Sequence, residues 1–313
     1  MKEKIVEVLK LSKGVVLGAH VNPDGDAIGA LVGMGHLCAF LSIPYTILLD
    51  SVPKVYQKLL DGVCVSDKIS YPYDTFVSLD CGDIERLGKF AIYFKEAKTT
   101  INIDHHVTNS RFATYNEICP EASSSCEVVF DLIKVANCPL TLSIATSLYT
   151  GIVTDTGGFM HSCTSPHTHQ VASELLAFDY DFSTLYYSLL YERTEVEAKI
   201  EAVAILNASR YEQMVITYVT QEEMDRFGAT KEDLSSIVSA IKAIKGCELA
   251  VFIYPIGVDV YKVSFRSNPP IDVAMLASKF NGGGHVRAAG ATLYGSLENV
   301  QSQIEEAIHL YVK

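Results

Sequence analysis

Four times in the first half of the chain an apolar run stops at an aspartate or a histidine, and this repetition limits the folds open to it. Val15-Val16-Leu17-Gly18-Ala19 leads into His20-Val-Asn-Pro-Asp24-Gly-Asp26. Thr75-Phe76-Val77-Ser78-Leu79 leads into Asp80-Cys-Gly-Asp83, and residues 99–103 lead into Asp104-His105-His106. The fourth run, an apolar helix over about 142–153, ends at Asp155. Short continuous apolar runs are what strands covered on both faces require. Strands at 15–19, 45–49, 75–79 and 99–103 are expected among helices starting near 26, over 124–135 and 142–153, and at Ser165-Pro166. That order predicts an α/β fold with an open, mostly parallel sheet. Ligands bind such sheets outside the carboxyl ends of the strands. The polar residues after each run are therefore expected to meet.

Each cluster alone has a plainer reading. Asp24-Gly-Asp26 alone is a solvated turn, Asp80 alone a helix cap, and Asp83 a residue that holds either its loop or an imidazole behind the ligands. Adjacent histidines are common on surfaces. Asp155 at an apolar helix end is harder to dismiss, because an unpaired buried carboxylate is costly. The four positions match topologically, and together they offer donors for two divalent ions. Mixed carboxylate and imidazole donors favour a first-row ion such as manganese over calcium or a thiolate site. The histidines count against magnesium, which prefers oxygen. His36, His161, His167 and His169 are read as core or surface groups, not ligands.

The second half changes character. Residues 194–210 read as a connecting helix, followed by a strand at 214–220 and a helix at 233–244. Two paired strands are expected at 247–255 and 258–267, with a turn near Ile256-Gly257. This makes a smaller α+β unit. The expected division is 1–187, a helical linker at 188–210, and 211–313. Arg266 and Ser267 end a strand, and Asn281-Gly282-Gly283-Gly284-His285 precedes a stretch, 286–290, read as a helix. A glycine run before a helix brings backbone N–H groups onto an anion. Arg266 adds a bidentate fork for phosphate, and His285 a donor. The plainer reading is a tight turn with a surface histidine.

A net charge of -12 excludes a protein that grips long nucleic acid through a basic face. Residues 27–49 carry no formal charge and are long enough to span a bilayer. Their glycines, His36, Ser42 and Pro44 instead predict a buried helix, a turn and a strand, so no membrane association is expected. The eight cysteines include no C-x-x-C pair and are expected to be reduced, in a cytoplasmic protein. The charged N-terminus does not resemble a signal peptide.

The strings HVNPDGDAIGA, SLDCGD, NIDHHVTN, GIVTDTGGF, FRSN and NGGGHVRAAGAT, in this order, resemble the DHH phosphoesterases with their associated C-terminal domain. Length and layout are similar to the stand-alone nanoRNase/pAp phosphatase branch. The resemblance implies two Mn2+ ions, with Mg2+ or Co2+ as other options. His20, Asp24 and Asp80 would hold one ion. Asp26, Asp80, His105 and Asp155 would hold the other, with Asp80 bridging. His106 would contact the scissile phosphate, and Asp104 would orient the histidine pair. Arg266, Ser267, Asn281, Gly282, Gly283, Gly284 and His285 would hold the far end of the substrate, across an interdomain cleft. Arg287 occupies a variable position. The implied activity is hydrolysis of very short RNA to mononucleotides, and of pAp to AMP, by two-metal activation of water. Alternatives are a linear or cyclic dinucleotide phosphodiesterase, an inorganic pyrophosphatase, and a non-catalytic nucleotide sensor. The expected partners are short oligonucleotides, dinucleotides or pAp, and a homodimer fits the general frequency of symmetric oligomers.

Overall fold

All five residues of strand β1, Val15–Ala19, are buried, because this apolar run lies at the middle of a parallel sheet. The computed structural model describes residues 1–69 and 71–311. The chain divides into two units, Met1–Glu192 and Arg193–Lys313.

In the first unit β1 is joined by β2 (Tyr45–Leu48), β3 (Val65–Ser66), β4 (Thr75–Leu79), β5 (Thr99–Asp104) and β6 (Tyr115–Ile118). The order is β3-β2-β1-β4-β5-β6, and every pairing is parallel. The chain winds outward from β1 to β3, then returns to lay β4 on the other side of β1. Strand order reverses there, and the crevice opens above the carboxyl ends of β1 and β4. Strands β3 and β6 were not expected. They are short, polar edge segments, and partners rather than apolar patterning define them.

The helices of this unit are α1 (Lys2–Leu11), α2 (Gly25–Phe40), α3 (Ala91–Glu96), α4 (Ser125–Val135), α5 (Leu142–Asp155), α6 (Pro166–Leu175) and α7 (Phe182–Leu190). The uncharged stretch 27–49 resolves into α2, a turn and β2. Among the described residues no helix is long and apolar enough to cross a membrane. Helix α2 is buried almost all round because α4, α5 and the sheet surround it. Close packing there depends on Gly29, where a Cβ would strike the Ser147 carbonyl and the Cys126 sulfur. Ser124 caps α4 by accepting from Glu127 N, and Thr141 caps α5 by accepting from Ile144 N.

The second unit carries β7 (Ser209–Tyr211), β8 (Met214–Tyr218), β9 (Leu249–Gly257), β10 (Val260–Ser267), β11 (Gly283–His285) and β12 (Ala288–Tyr294), in the order β11-β12-β10-β9-β8-β7. Only β8 and β9 run parallel. Its helices are α8 (Glu195–Leu206), α9 (Gln221–Phe227), α10 (Ile237–Lys242), α11 (Val273–Ser278) and α12 (Leu297–Tyr311). One sheet face packs Val263, Phe265, Leu276 and Ile304, and the other packs Phe252 with Ile200 and Ala204 of α8.

One expectation fails here. Residues 286–290 are not a helix: Gly283–His285 and Ala288–Tyr294 form a hairpin. The alanines suggest helix by composition, but Ala289, Ala291 and Leu293 enter the core at every second position. That period belongs to a strand, and pairing with β10 decides the matter. The turn expected at Ile256-Gly257 falls at Val258-Asp259, where Asp259 takes a φ of 53°.

The packing at Gly29 predicts that Gly29→Ala destabilises the protein despite the better helix propensity of alanine. The backbone carbonyl it meets cannot step aside cheaply, so overpacking costs about 1–3 kcal/mol. Thermal unfolding should show a Tm lowered by several degrees, and an unchanged or raised Tm would refute this account.

Candidate metal centre

Asp80 follows β4 with a φ of 53°, a left-handed backbone that a non-glycine residue adopts only under constraint. Its N–H donates to Ile103 O at 3.0 Å, which ties the strand end to β5. This geometry turns the carboxylate into the crevice. His20 Nε2 lies 3.3 Å from Asp80 Oδ2, and His105 Nε2 lies 3.7 Å from Asp80 Oδ1. Asp80 therefore stands between the two imidazoles and offers one oxygen to each.

His20 leaves β1 with its Nδ1 2.8 Å from Val21 O, so Nε2 is the nitrogen turned inward. Asp24 caps α2 by accepting from Asp26 N and Ala27 N, and the same oxygen lies 3.8 Å from His20 Nε2. Asp26 is fully buried. Its two oxygens accept from Ser125 N at 2.7 Å and Cys126 N at 2.8 Å, the first amides of α4. A helix N-terminus is a natural seat for a carboxylate. Asp155, the last residue of α5, reaches His105 Nε2 at 3.1 Å, and Asp26 lies 4.0 Å from the same nitrogen.

These side chains make two donor groups, His20 with Asp24 and Asp80, and Asp26 with His105 and Asp155. Within each group the donor atoms lie within 4.8 Å of one another. A third grouping, Asp80 with His105 and His106, meets the same limit. There, however, His106 Nδ1 sits 2.7 Å from Asp104 Oδ1, which leaves Nε2 for a ligand.

The electrostatics call for a cation. Burial, then the charges of Asp80 and Asp155, push the Asp26 carboxyl well above the usual range. Burial with Asp80 and Asp24 pushes Asp155 up to about 7. Burial opposes a charged His20, but hydrogen bonds to Asp24 and Asp80 outweigh it and raise the imidazole to about 10. The hydrogen bond to Asp104 raises His106 to about 9. Carboxylates crowded this closely hold protons unless a cation takes their place. The donor set fits one or two divalent ions with mixed oxygen and nitrogen ligands.

Four contributors carried no signal strong enough to single out. Ser125 Oγ donates to Asp80 Oδ1 at 3.1 Å, and the Ser125 and Cys126 amides hold Asp26. Backbone donors leave no mark in a side-chain pattern. Asn109 Nδ2 reaches Asp104 Oδ2 at 2.6 Å and Asn102 Oδ1 at 2.7 Å, so it locks the carboxylate that orients His106. Asn102 is fully buried and donates to Cys81 O at 3.2 Å. A polar residue in the middle of strand run 99–103 was the available hint. Asp83 accepts from Arg86 N and holds its loop. His36 pairs with Ser143, His161 with Asp155 O, and His167 with Asp131, while His169 stacks on Phe159. All eight cysteines are free.

The second unit gathers the remaining candidates around the end of β10. Arg266 is half-buried and pairs in register with Ala288, and its Nη1 donates to Phe265 O. Burial pulls its guanidinium below the usual value. Ser267 is buried, and its hydroxyl donates to Ile271 O at 2.6 Å. Arg287 donates to the carbonyls of Asn268 and Ile271, so it holds the Asn-Pro-Pro loop in place. Asn281 and Gly284 have positive φ values of 55° and 146°. A Cβ on Gly282 would strike the Gly290 carbonyl of β12. Gly283 and His285 lie on the exposed edge strand.

This fold and these donor groups define a class, which sequence comparison makes explicit. The DHH family N-terminal domain matches residues 14–152, and the DHHA1 domain matches residues 212–312. The chain belongs to the DHH family of metal-dependent phosphoesterases. It is 32% identical over 308 residues to the bifunctional oligoribonuclease and PAP phosphatase NrnA of Thermus thermophilus, covering 97% of this chain and 92% of that one. It is 27% identical over 298 residues to the Bacillus subtilis protein of the same name, covering 94% of each. A crystal structure of an exopolyphosphatase-related protein from Bacteroides fragilis superposes with a TM-score of 0.90 at 25% identity, covering 99% of this chain and 96% of that one.

The raised carboxyls set a sign for metal binding. A divalent ion must displace a proton from Asp155, so protons compete below about pH 7, and the raised Asp26 carboxyl acts in the same direction. Calorimetric titration of the metal-free protein with Mn2+ should show weaker affinity at pH 6 than at pH 8, with protons released on binding. Affinity that does not change with pH would remove these carboxylates from the ligand set.

Proposed function

We propose that this DHH phosphoesterase hydrolyses very short oligoribonucleotides to mononucleotides and converts pAp to AMP, using two Mn2+ ions. His20, Asp24 and Asp80 would hold one ion, and Asp26, Asp80, His105 and Asp155 the other. The observation that carries this reading is the position of Asp80, whose two oxygens face His20 of one donor group and His105 of the other. Full-length similarity to proteins named for both activities supports the substrate class. When bound, such ions acidify water and neutralise charge on a phosphoryl group.

The protein's own residues do the positioning. Both oxygens of Asp26 already accept from α4 amides, so this carboxylate acts as a fixed ligand, not as a proton carrier. Asp104 raises the His106 imidazole to about 9 and holds its Nδ1, and Asn109 holds Asp104 in turn. It is suited to donate from Nε2 to a non-bridging phosphate oxygen, where charge grows during the reaction. In the second unit Arg266 has no carboxylate partner among the described residues. With His285 and the exposed edge strand Gly283–His285 it is suited to a terminal phosphate, while the Gly282 amide is already spent on Ala277 O. Ser267 and Arg287 act beneath this group by shaping the 268–271 loop. The acidic chain disfavours a long polyanion.

The test is Mn2+-dependent turnover of a panel of pAp, linear diadenylate, RNAs of two to about five nucleotides, cyclic diadenylate and pyrophosphate. Mononucleotides from the shortest RNAs, with AMP from pAp, is the expected result. Turnover of cyclic diadenylate or pyrophosphate alone would overturn the reading. Asp80→Ala should reduce activity to background, because both proposed ligand sets lose a member, and near-normal activity would refute the bridging role. Arg266→Ala should raise KM for pAp by about 10- to 100-fold, the scale of a lost charged hydrogen bond, while a small aryl phosphate ester is barely affected. Equal losses on both would exclude a remote phosphate contact.

A further inference from the structure

Beside the metal donors the first unit holds a second feature that the proposed roles leave unused. A cavity of about 210 Å3 opens at the carboxyl ends of β1 and β2. Its walls are Val21, Leu48, Leu49, Leu87 and Phe90, and His20 closes one side. The same His20 ring presents Nε2 to Asp24 and Asp80, so the cavity adjoins the first donor group directly. It lies at the edge of the crevice where strand order reverses, the usual place for a ligand in such a sheet.

Size and lining narrow the occupant. Cavities that enclose a drug-sized molecule run to about 300–1,000 Å3, so this one suits a single flat ring system. Its aliphatic walls and Phe90 provide apolar contact for ring faces. At the rim Lys89 and Asp50 form an ion pair, with both side chains more than half exposed. Exposed pairs contribute little to stability, so the Asp50 contact is open to exchange, while Lys89 Nζ also lies 5.3 Å from the centre of the Phe90 ring. The pair sets an ammonium donor beside a carboxylate acceptor, and nucleobase edges carry neighbouring acceptors and donors.

We infer that this cavity seats the nucleobase of the nucleoside next to the scissile phosphate. The inference rests on the short-RNA reading above and adds to it a subsite within the catalytic unit. It gives the enzyme a grip on a nucleoside that is independent of the terminal-phosphate contacts, and it favours nucleotide esters over simple phosphate esters.

Ser51 lies at the rim, is exposed, and has no part in the donor groups. The experiment compares wild type with Ser51→Trp, which fills the cavity, and Lys89→Met, which removes the rim donor. Substrates are ApA and its two analogues in which one base is replaced by hydrogen. Ser51→Trp should raise KM for ApA about tenfold, the scale of one stacked base, with kcat nearly kept and Tm unchanged. Wild type on one abasic analogue should show the same raised KM, and Ser51→Trp should add nothing on that analogue. Lys89→Met should give a smaller rise in KM on ApA alone. Unchanged KM for ApA in both variants, or equal losses on all three substrates, would overturn the subsite. Wild type that hydrolyses none of the three would defeat the short-RNA reading instead. The cavity is then tested by adenosine alone, through shifts of the Leu48 and Leu49 methyl resonances that Ser51→Trp abolishes. Absence of those shifts would overturn the subsite on its own terms.

Discussion

Carboxylates repel one another, and the first unit is organised around holding four of them at one place. Asp24, Asp26, Asp80 and Asp155 come from α2, the end of β4 and the end of α5, and none of these elements can relax away without opening the core. Two devices make the arrangement tolerable before any ion is present. The α4 amides neutralise part of the Asp26 charge, and the His20 and His105 rings stand between the carboxylates. The remaining cost appears as raised carboxyl pKa values, and it is the driving force for taking up a cation. Buried charge of this kind is poor stabilisation and good preorganisation. The ligands are aimed by the fold, so an ion has little to rearrange on arrival.

The two units divide their chemistry accordingly. The first supplies negative charge on rigid strand ends and helix ends. The second carries Arg266, His285 and an exposed edge strand, with no comparable cluster of acids among its described residues. Ser267 and Arg287 show how much of this second region is scaffolding: both are spent on the carbonyls of one proline-containing loop.

Much of this was legible in the residues because strand endings in a parallel sheet have a simple signature. His20, Asp80 and Asp104 each follow a short apolar run, and the topology brings such ends together whatever the intervening helices do. The edge strands β3 and β6 were invisible because their pairing rests on neighbours and not on their own composition. Residues 286–290 read as helix because alanine and arginine favour helix locally, while β10 offered an unpaired edge that outweighed propensity. Asn109 and Asn102 were hidden for another reason. Neither is a metal donor, and their anchorage on the Ser78 and Cys81 carbonyls exists only after β4 and β5 are side by side. The cavity beside His20 lay equally out of reach, since its walls are contributed by three separate segments.

The capture of Asp26 by α4 has a consequence for the order in which the protein is made. The donors and acceptor are 99 and 100 residues apart in the chain. At typical translation rates the residues that neutralise Asp26 emerge about 5–20 s after it does. Throughout that interval Asp26 lacks the two amides that fix its carboxylate in the folded protein. Selective metal loading must therefore wait until α4 has left the ribosome and docked on α2.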